Sequence, residues 1–152
     1  MLIGVPGSGK STWIKNQNFD PDSTTILSTD DYIELAARGQ GKTYTQAFAD
    51  LIGPATSNME RSLARAVEND QDIVWDQTNT MRGARRKKLA KIPAHYEKVA
   101  VFFKTPAAGE LSGRLGGRPG KDIPPDVMKR MIDSLEPPTK DEGFDRIVTI
   151  EN

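Results

Sequence analysis

The stretch Gly4-Val5-Pro6-Gly7-Ser8-Gly9-Lys10-Ser11 spells G-x-x-x-x-G-K-[ST] between a short apolar run and a helical pattern. In that place the spelling is the signature of a loop that holds phosphate. Glycine lets the backbone turn tightly enough for consecutive N–H groups to face phosphate oxygens, and the helix that follows adds the partial positive charge of its N-terminus. Gly7, Ser8, Gly9, Lys10, Ser11 and Thr12 are therefore the candidate phosphate-binding residues. Lys10 is expected to reach the β and γ phosphates of a nucleoside triphosphate, ATP or another. The Ser11 hydroxyl suits Mg²⁺, which keeps several waters and draws its other ligands largely from phosphate oxygens. A glycine-rich turn that spells the motif by chance is the competing reading, and the flanking patterns argue against it.

Two acidic segments, Thr29-Asp30-Asp31-Tyr32 and Asp76-Gln77-Thr78-Asn79, each follow an apolar run. Both end on the ligand side if the strands are parallel. Phosphoryl transfer to a hydroxyl needs a carboxylate within hydrogen-bond reach to orient the acceptor and take its proton. Asp30 is the candidate for that base. Thr29 or Asp30 could equally cap a helix beginning near Tyr32, and the sequence leaves both readings open. Asp76 stands where a Walker-B carboxylate would, suited to a Mg²⁺-bound water or to an acceptor-side network with Thr78 and Asn79; a plain turn residue is the alternative.

From Gly113 to Lys121 glycines and basic residues interleave. A closing lid over about 113–122 would carry Arg118 as the catalytic cation and Arg114 as its partner, because guanidinium groups grip phosphate oxygens in pairs and offset transition-state charge. A solvated loop is the plainer alternative. Between Gln77 and Tyr96 no acidic residue occurs, yet Arg82, Arg85, Arg86, Lys87, Lys88 and Lys91 do. Such a cluster, with Arg82 and Arg86 foremost, could neutralise a nucleic acid backbone, or it could be a solvated helix face. Few aromatic residues are available for base stacking, which predicts weak sequence readout. Asp20-Pro21-Asp22-Ser23-Thr24 looks like a phosphatase nucleophile motif, but Lys15-Asn16-Gln17-Asn18-Phe19 before it is a poor strand, so it reads as a turn. His95, the only histidine, reads as a surface loop residue.

These groups need a scaffold, and period and punctuation supply one. Strand patterns at Met1–Val5, Thr24–Ser28, Asp72–Trp75, Lys98–Phe103 and Arg146–Ile150 alternate with helical patterns at 10–15, 32–37, 55–69, 83–91, 107–114 and 125–134. That alternation implies an α/β fold with a parallel sheet covered on both faces. Only Met1-Leu2-Ile3 precede Gly4, which means a thin first strand or a sequence that begins late. The length of 152 residues, with 21 basic and 21 acidic side chains and 36% hydrophobic residues, describes a single domain over 1–152. A chain of this size buries roughly 68–70% of its unfolded surface. The absence of cysteine removes disulfides and thiolate chemistry and suits a reducing cytoplasm. The longest apolar run, Val99 to Phe103, is far shorter than the roughly 20 residues of a membrane span.

In this order the pieces resemble the polynucleotide 5′-hydroxyl kinase family, the kinase domain of bacteriophage and animal polynucleotide kinase-phosphatases. Gly4 to Trp13 resembles the family's loop, Thr29-Asp30-Asp31-Tyr32 its R-D-D-Y segment, and Asp76-Gln77-Thr78-Asn79 its D-x-T-N segment. Arg114 and Arg118 keep the spacing of its lid arginines, and Glu136-Pro137-Pro138-Thr139 with Glu142-Gly143-Phe144 is similar to the tail of the animal members. The resemblance implies a P-loop, nucleotide-kinase-like three-layer sandwich with about five parallel strands and a flexible Arg/Gly lid. It implies ATP, Mg²⁺ and a 5′-hydroxyl end of DNA or RNA as partners, with Asp30 as general base. It also implies a cytoplasmic protein, in the host cytoplasm if phage-encoded. Two positions depart from it: Ile33 stands where phage-type members carry an acceptor-phosphate arginine, and Thr29 where an arginine precedes the base. The length leaves no room for the phosphatase domain. A small-molecule P-loop kinase and a nucleotide-dependent nucleic-acid-binding module are the rival readings.

Overall fold

The computed structural model describes residues 1–117 and 119–151. Its strands are β1 (Leu2–Ile3), β2 (Thr24–Leu27), β3 (Asp72–Trp75), β4 (Val99–Phe103) and β5 (Arg146–Ile150). The helices are α1 (Lys10–Gln17), α2 (Thr29–Gly39), α3 (Tyr44–Glu68), α4 (Arg82–Leu89), α5 (Ala108–Gly116) and α6 (Pro125–Asp133), with a 3₁₀ turn at Lys140–Glu142. Every strand and helix expected from the sequence is present. Each recorded strand pair is parallel: β1 with β4, β4 with β5, and β2 with β3.

The pairs form a ladder of three, β1-β4-β5, and a ladder of two, β2-β3. The two meet where the chain leaves β3 beside β1. There the Gly4 N–H donates to the Thr78 carbonyl at 2.9 Å, and the Asn79 side-chain amide donates to the Leu2 carbonyl at 2.7 Å. With β1 only two residues long, a side chain supplies the bond that a longer strand would make with its backbone. The resulting order is β2-β3-β1-β4-β5.

Alternation along the strands divides the core. Leu2, Val74, Val101 and Phe103 pack against Trp13 and Ile14 of α1. Ile3 and Ala100 meet Leu89 of α4, and Leu27 and Trp75 meet Met59 and Leu63 of α3. Neighbouring residues of one strand thus serve opposite faces, and helices cover both in three layers. No helix among the described residues is long and apolar enough to cross a membrane.

Two boundaries differ from expectation. The third helix was expected to begin at Ala55, after Pro54, but α3 starts at Tyr44 and continues through Pro54. Proline removes one internal hydrogen bond. Against that loss, Thr43 and Gln46 cap the start reciprocally, at 3.2 and 2.9 Å, and Ala47, Leu51 and Ala55 pack on Ile33 and Ala37 of α2. Likewise α5, expected to end at Arg114, runs on to Gly116, into the stretch expected to be lid. Its Leu111 is buried with Val5 and Met128, which keeps this turn helical.

Arg85 and Glu142 form a pair whose side chains are 0% exposed. Two guanidinium nitrogens, Nε and Nη2, donate to the carboxylate at 2.7 Å each, and Nη1 donates to the carbonyls of Asn79 and Thr80 at 3.0 and 2.8 Å. Removing one member of such a pair strands the other charge. Arg85→Met is therefore expected to cost about 3–5 kcal/mol, read from urea unfolding. By contrast Lys91→Ala, which ends an exposed 2.6 Å pair with Glu60, should cost at most about 1 kcal/mol. Equal losses in the two variants would refute the role given to Arg85.

Candidate active site

The loop from Gly4 to Gly9 joins β1 to α1 as the motif requires. Gly7 and Gly9 adopt φ of +81° and +97°, which L side chains rarely adopt. A Cβ on Gly7 would also stand 2.9 Å from Leu111, and one on Gly4 2.6 Å from the Ser8 hydroxyl. Gly9 caps α1 with no side-chain hydrogen bond, so no side chain occupies the position before its first amides, which lack partners within the helix. Lys10 folds back over the loop, its Nζ donating to the carbonyls of Gly4 and Val5 at 2.8 and 2.9 Å.

Two cavities flank this loop. One, of about 630 Å³, is lined by Gly7, Ser8, Gly9, Ser11, Thr12, Trp13, Asn16, Phe103, Arg114 and Ile150. The other, of about 1090 Å³, brings Lys10 and Ser11 together with Asp30, Asp31, Asp76, Gln77 and Thr78. Tyr44 of α3 and Lys121 also line it. The two cavities share Gly7, Gly9 and Ser11, so the phosphate loop forms the wall between them.

The capping question at α2 is answered by Ser28, whose hydroxyl accepts the Asp31 N–H at 3.2 Å. Asp30 is left to serve the cavity. One of its oxygens accepts the Tyr44 hydroxyl and the other the Lys121 ammonium, each at 2.7 Å. Burial pushes the Asp30 carboxyl up, but the bond and charge of Lys121, with Tyr44 and Lys10, outweigh it and hold the group below its ordinary value. Asp76 goes the other way: burial raises it, Asp31 and Asp30 add to the rise, and Lys10 only partly offsets it. Asp31 is also raised, by burial and then by Glu34 and Asp30. Burial and the bond to Asp30 push the Tyr44 hydroxyl upward as well, so it stays a neutral donor.

No group of three or more His, Asp or Glu side chains among the described residues could hold a metal by itself. That suits Mg²⁺, which takes much of its shell from phosphate and water. Ser11 and Asp76 line the same cavity as Lys10 and offer one hydroxyl and one carboxylate to such an ion.

Other expected residues fall elsewhere. Asn79 is buried with a left-handed φ of 48°. Its amide bonds the carbonyls of Leu2 and Gln77, its oxygen accepts from Lys88, and it lines neither cavity. Arg82 lies 3.7 Å from Asp141 and 3.8 Å from Glu142, and Arg86 bonds Asp141 at 3.0 Å. Neither lines the cavity that holds Asp30. Lys88 bonds Gln77 and Asn79, and burial with the charge of Lys91 brings its ammonium down to about 8. The basic helix is thus engaged mainly within the protein. Arg114 donates to the Gly7 carbonyl at 3.1 Å and pairs with Glu110. Arg118 lies outside the described residues. His95 pairs with Asp70 at the surface, and Asp20 and Asp22 form a turn, as expected.

Tyr44 and Lys121 were not singled out from the sequence. The Thr43-x-x-Gln46 capping box was the available signal for Tyr44, since it starts a helix whose first turn faces the site. Lys121 sits in the glycine-basic stretch, where the arginines drew attention. A family model described as an AAA domain matches residues 1–138, which takes in the loop, both acidic segments and the lid.

Because Asn79 joins the two ladders, Asn79→Ala is expected to lower stability by about 1–3 kcal/mol, the cost of an unpaired buried carbonyl. Nucleotide binding by the folded fraction should be retained. Thermal unfolding beside nucleotide titration checks both; unchanged stability would contradict the structural role.

Proposed function

The chain belongs to the AAA domain family, a P-loop NTPase-like family that includes kinases, and on that premise we propose that it transfers the γ-phosphate of ATP to a 5′-hydroxyl end of DNA or RNA. The observation that carries the reading is the shared cavity: Asp30, a carboxylate held ionised, faces the same space as Lys10 and Ser11 of the phosphate loop. In this reading the smaller cavity, between Asn16, Phe103, Arg114 and Ile150, takes the rest of the nucleotide. The loop amides and Lys10 hold the β and γ phosphates. Mg²⁺, carried by Ser11 and through water by Asp76, would offset charge on the phosphate oxygens. Asp30 takes the acceptor's proton as its oxygen bonds the γ phosphorus and the bond to the β-phosphate oxygen breaks, releasing ADP. Arg118 is proposed on sequence grounds as the lid cation, with Arg114 as its partner.

A polymer acceptor is supported by the Asp30-Asp31-Tyr32 and Asp76-x-Thr78-Asn79 segments and the Glu136–Phe144 tail. It is supported also by Lys15, Arg38 and Lys42 on the wall of the larger cavity, where they suit the phosphates that follow a terminal hydroxyl. A small-molecule acceptor is the second reading. It is favoured by the engagement of Arg82 and Arg86 with Asp141 and by the apolar Phe48, Ile52 and Met131 in the same wall.

The test is γ-labelled ATP with a 5′-hydroxyl oligonucleotide, a 5′-phosphorylated control and nucleosides. Label on the unphosphorylated oligonucleotide alone supports the polymer reading, and label on nucleosides alone supports the second. Asp30→Asn should lower transfer by about 10²–10⁴-fold, the usual contribution of a general base, with ATP affinity nearly unchanged. Equal turnover would remove Asp30 from the mechanism.

A further inference from the structure

The segment Gly120–Asp122 lines the larger cavity and is fastened to α3. Gly120 accepts the Thr45 N–H at 3.1 Å and the Thr45 hydroxyl at 3.2 Å, and the Asp122 N–H donates to that hydroxyl at 3.0 Å. The approach is close: Gly120 has φ of +76°, and a Cβ there would stand 3.1 Å from Thr43. Between these bonds Lys121 turns inward, its side chain only 13% exposed. Its Nζ lies 2.7 Å from Asp30 and 2.9 Å from Glu34, and 4.3 Å from the Tyr44 ring centre. A lysine so enclosed, with a carboxylate on two sides and an aromatic face on a third, is a built contact rather than a solvated charge.

We propose that Lys121 is a positioning residue that couples closure of this segment to the carboxylate that activates the acceptor. The proposal rests on the reading of Asp30 as the base. Each Asp30 oxygen gives one lone pair to Lys121 or Tyr44 and keeps another for the acceptor hydroxyl. The carboxylate is therefore oriented without being consumed. The groups that face Asp30 are Tyr44 from α3, Lys10 from α1, Asp31 and Glu34 from its own helix, Asp76 beyond β3, and Lys121. Without Lys121, Lys10 is the cation left facing Asp30, and the segment loses both of its ion pairs to α2, with Asp30 and with Glu34. Closing over the acceptor and fixing the base are thus one event.

The Thr45 amide reports that event independently of catalysis. It belongs to the first turn of α3, where amides lack helical partners, and its bond is to Gly120. In Lys121→Met, hydrogen exchange at Thr45 should accelerate by at least about tenfold, since protection there depends on local opening. The kcat for a 5′-hydroxyl oligonucleotide should fall on the order of 10²-fold, the scale of a misplaced catalytic group, while ATP affinity holds. Lys121→Arg should recover most of both. Unchanged Thr45 exchange in Lys121→Met overturns the proposal, as does an arginine variant that closes the segment yet stays as slow as the methionine variant. A wild-type protein that labels no acceptor, with Thr45 still deprotected in Lys121→Met, would instead sink the functional reading and leave the latch standing.

Discussion

The buried Arg85–Glu142 pair is the constraint from which the geometry of the site descends. A guanidinium at 0% exposure needs partners to replace water, and here four of its five N–H groups find them in two carboxylate oxygens and the carbonyls of Asn79 and Thr80. Those carbonyls belong to the segment that begins at Asp76. Fixing its far end fixes Asn79 against Leu2 and Thr78 against Gly4. The phosphate loop therefore starts from a strand of two residues, braced by a side chain on one flank and by β4 on the other. The tail contributes through the same pair: Glu142 also accepts the Thr139 N–H, and Glu136 accepts the Arg82 N–H and donates its own to Thr80.

Within the cavity the same chemical group is pushed two ways. Asp30 meets an ammonium and a hydroxyl and is held down; Asp76, half-buried beside Asp31 and Asp30, is pushed up although Lys10 and Lys121 partly oppose it. Environments that separate two carboxylates separate their tasks. Asp30, ionised beside Lys121 and Tyr44, has lone pairs to accept a hydrogen bond from a hydroxyl. The other gains most from an arriving cation, because a nearby positive charge reverses the effect of burial. Spacing could not show this division, since it depends on Tyr44 and Lys121 from elements far away in sequence.

What was legible in the sequence is what local rules govern. Glycines with positive φ, alternating strands and the loop before a helix follow from backbone sterics and burial, and the fold appeared in the expected order. Local rules failed where tertiary packing outweighed them: the helix expected from Ala55 begins at Tyr44 and passes through Pro54, because Ala47 and Leu51 cover α2. They failed again at α4. A run of six basic residues with no acidic neighbour reads as an electrostatic surface, but the acidic partners stand about 55 residues later, in the tail, and for Lys91 31 residues earlier, in α3. Charge patterning along a chain carries no information about charges brought beside it by folding.

That correction moves the acceptor question to another place. With Arg82 and Arg86 paired to Asp141, a polymer's phosphates must be met elsewhere if they are met at all. Besides Lys10 and Lys121, the wall of the cavity carries Lys15, Arg38 and Lys42, the last 3.9 Å from Asp50. Arg38 closes α2, the helix whose first turn carries Asp30, and Lys42 precedes the turn that carries Tyr44. The elements that orient the base thus also set the distance from the reacting hydroxyl to the first phosphate behind it. In the proposed reading, acceptor choice would rest on the α2–α3 hairpin, packed through Ile33, Ala37, Ala47 and Leu51, rather than on the basic helix that the sequence made conspicuous.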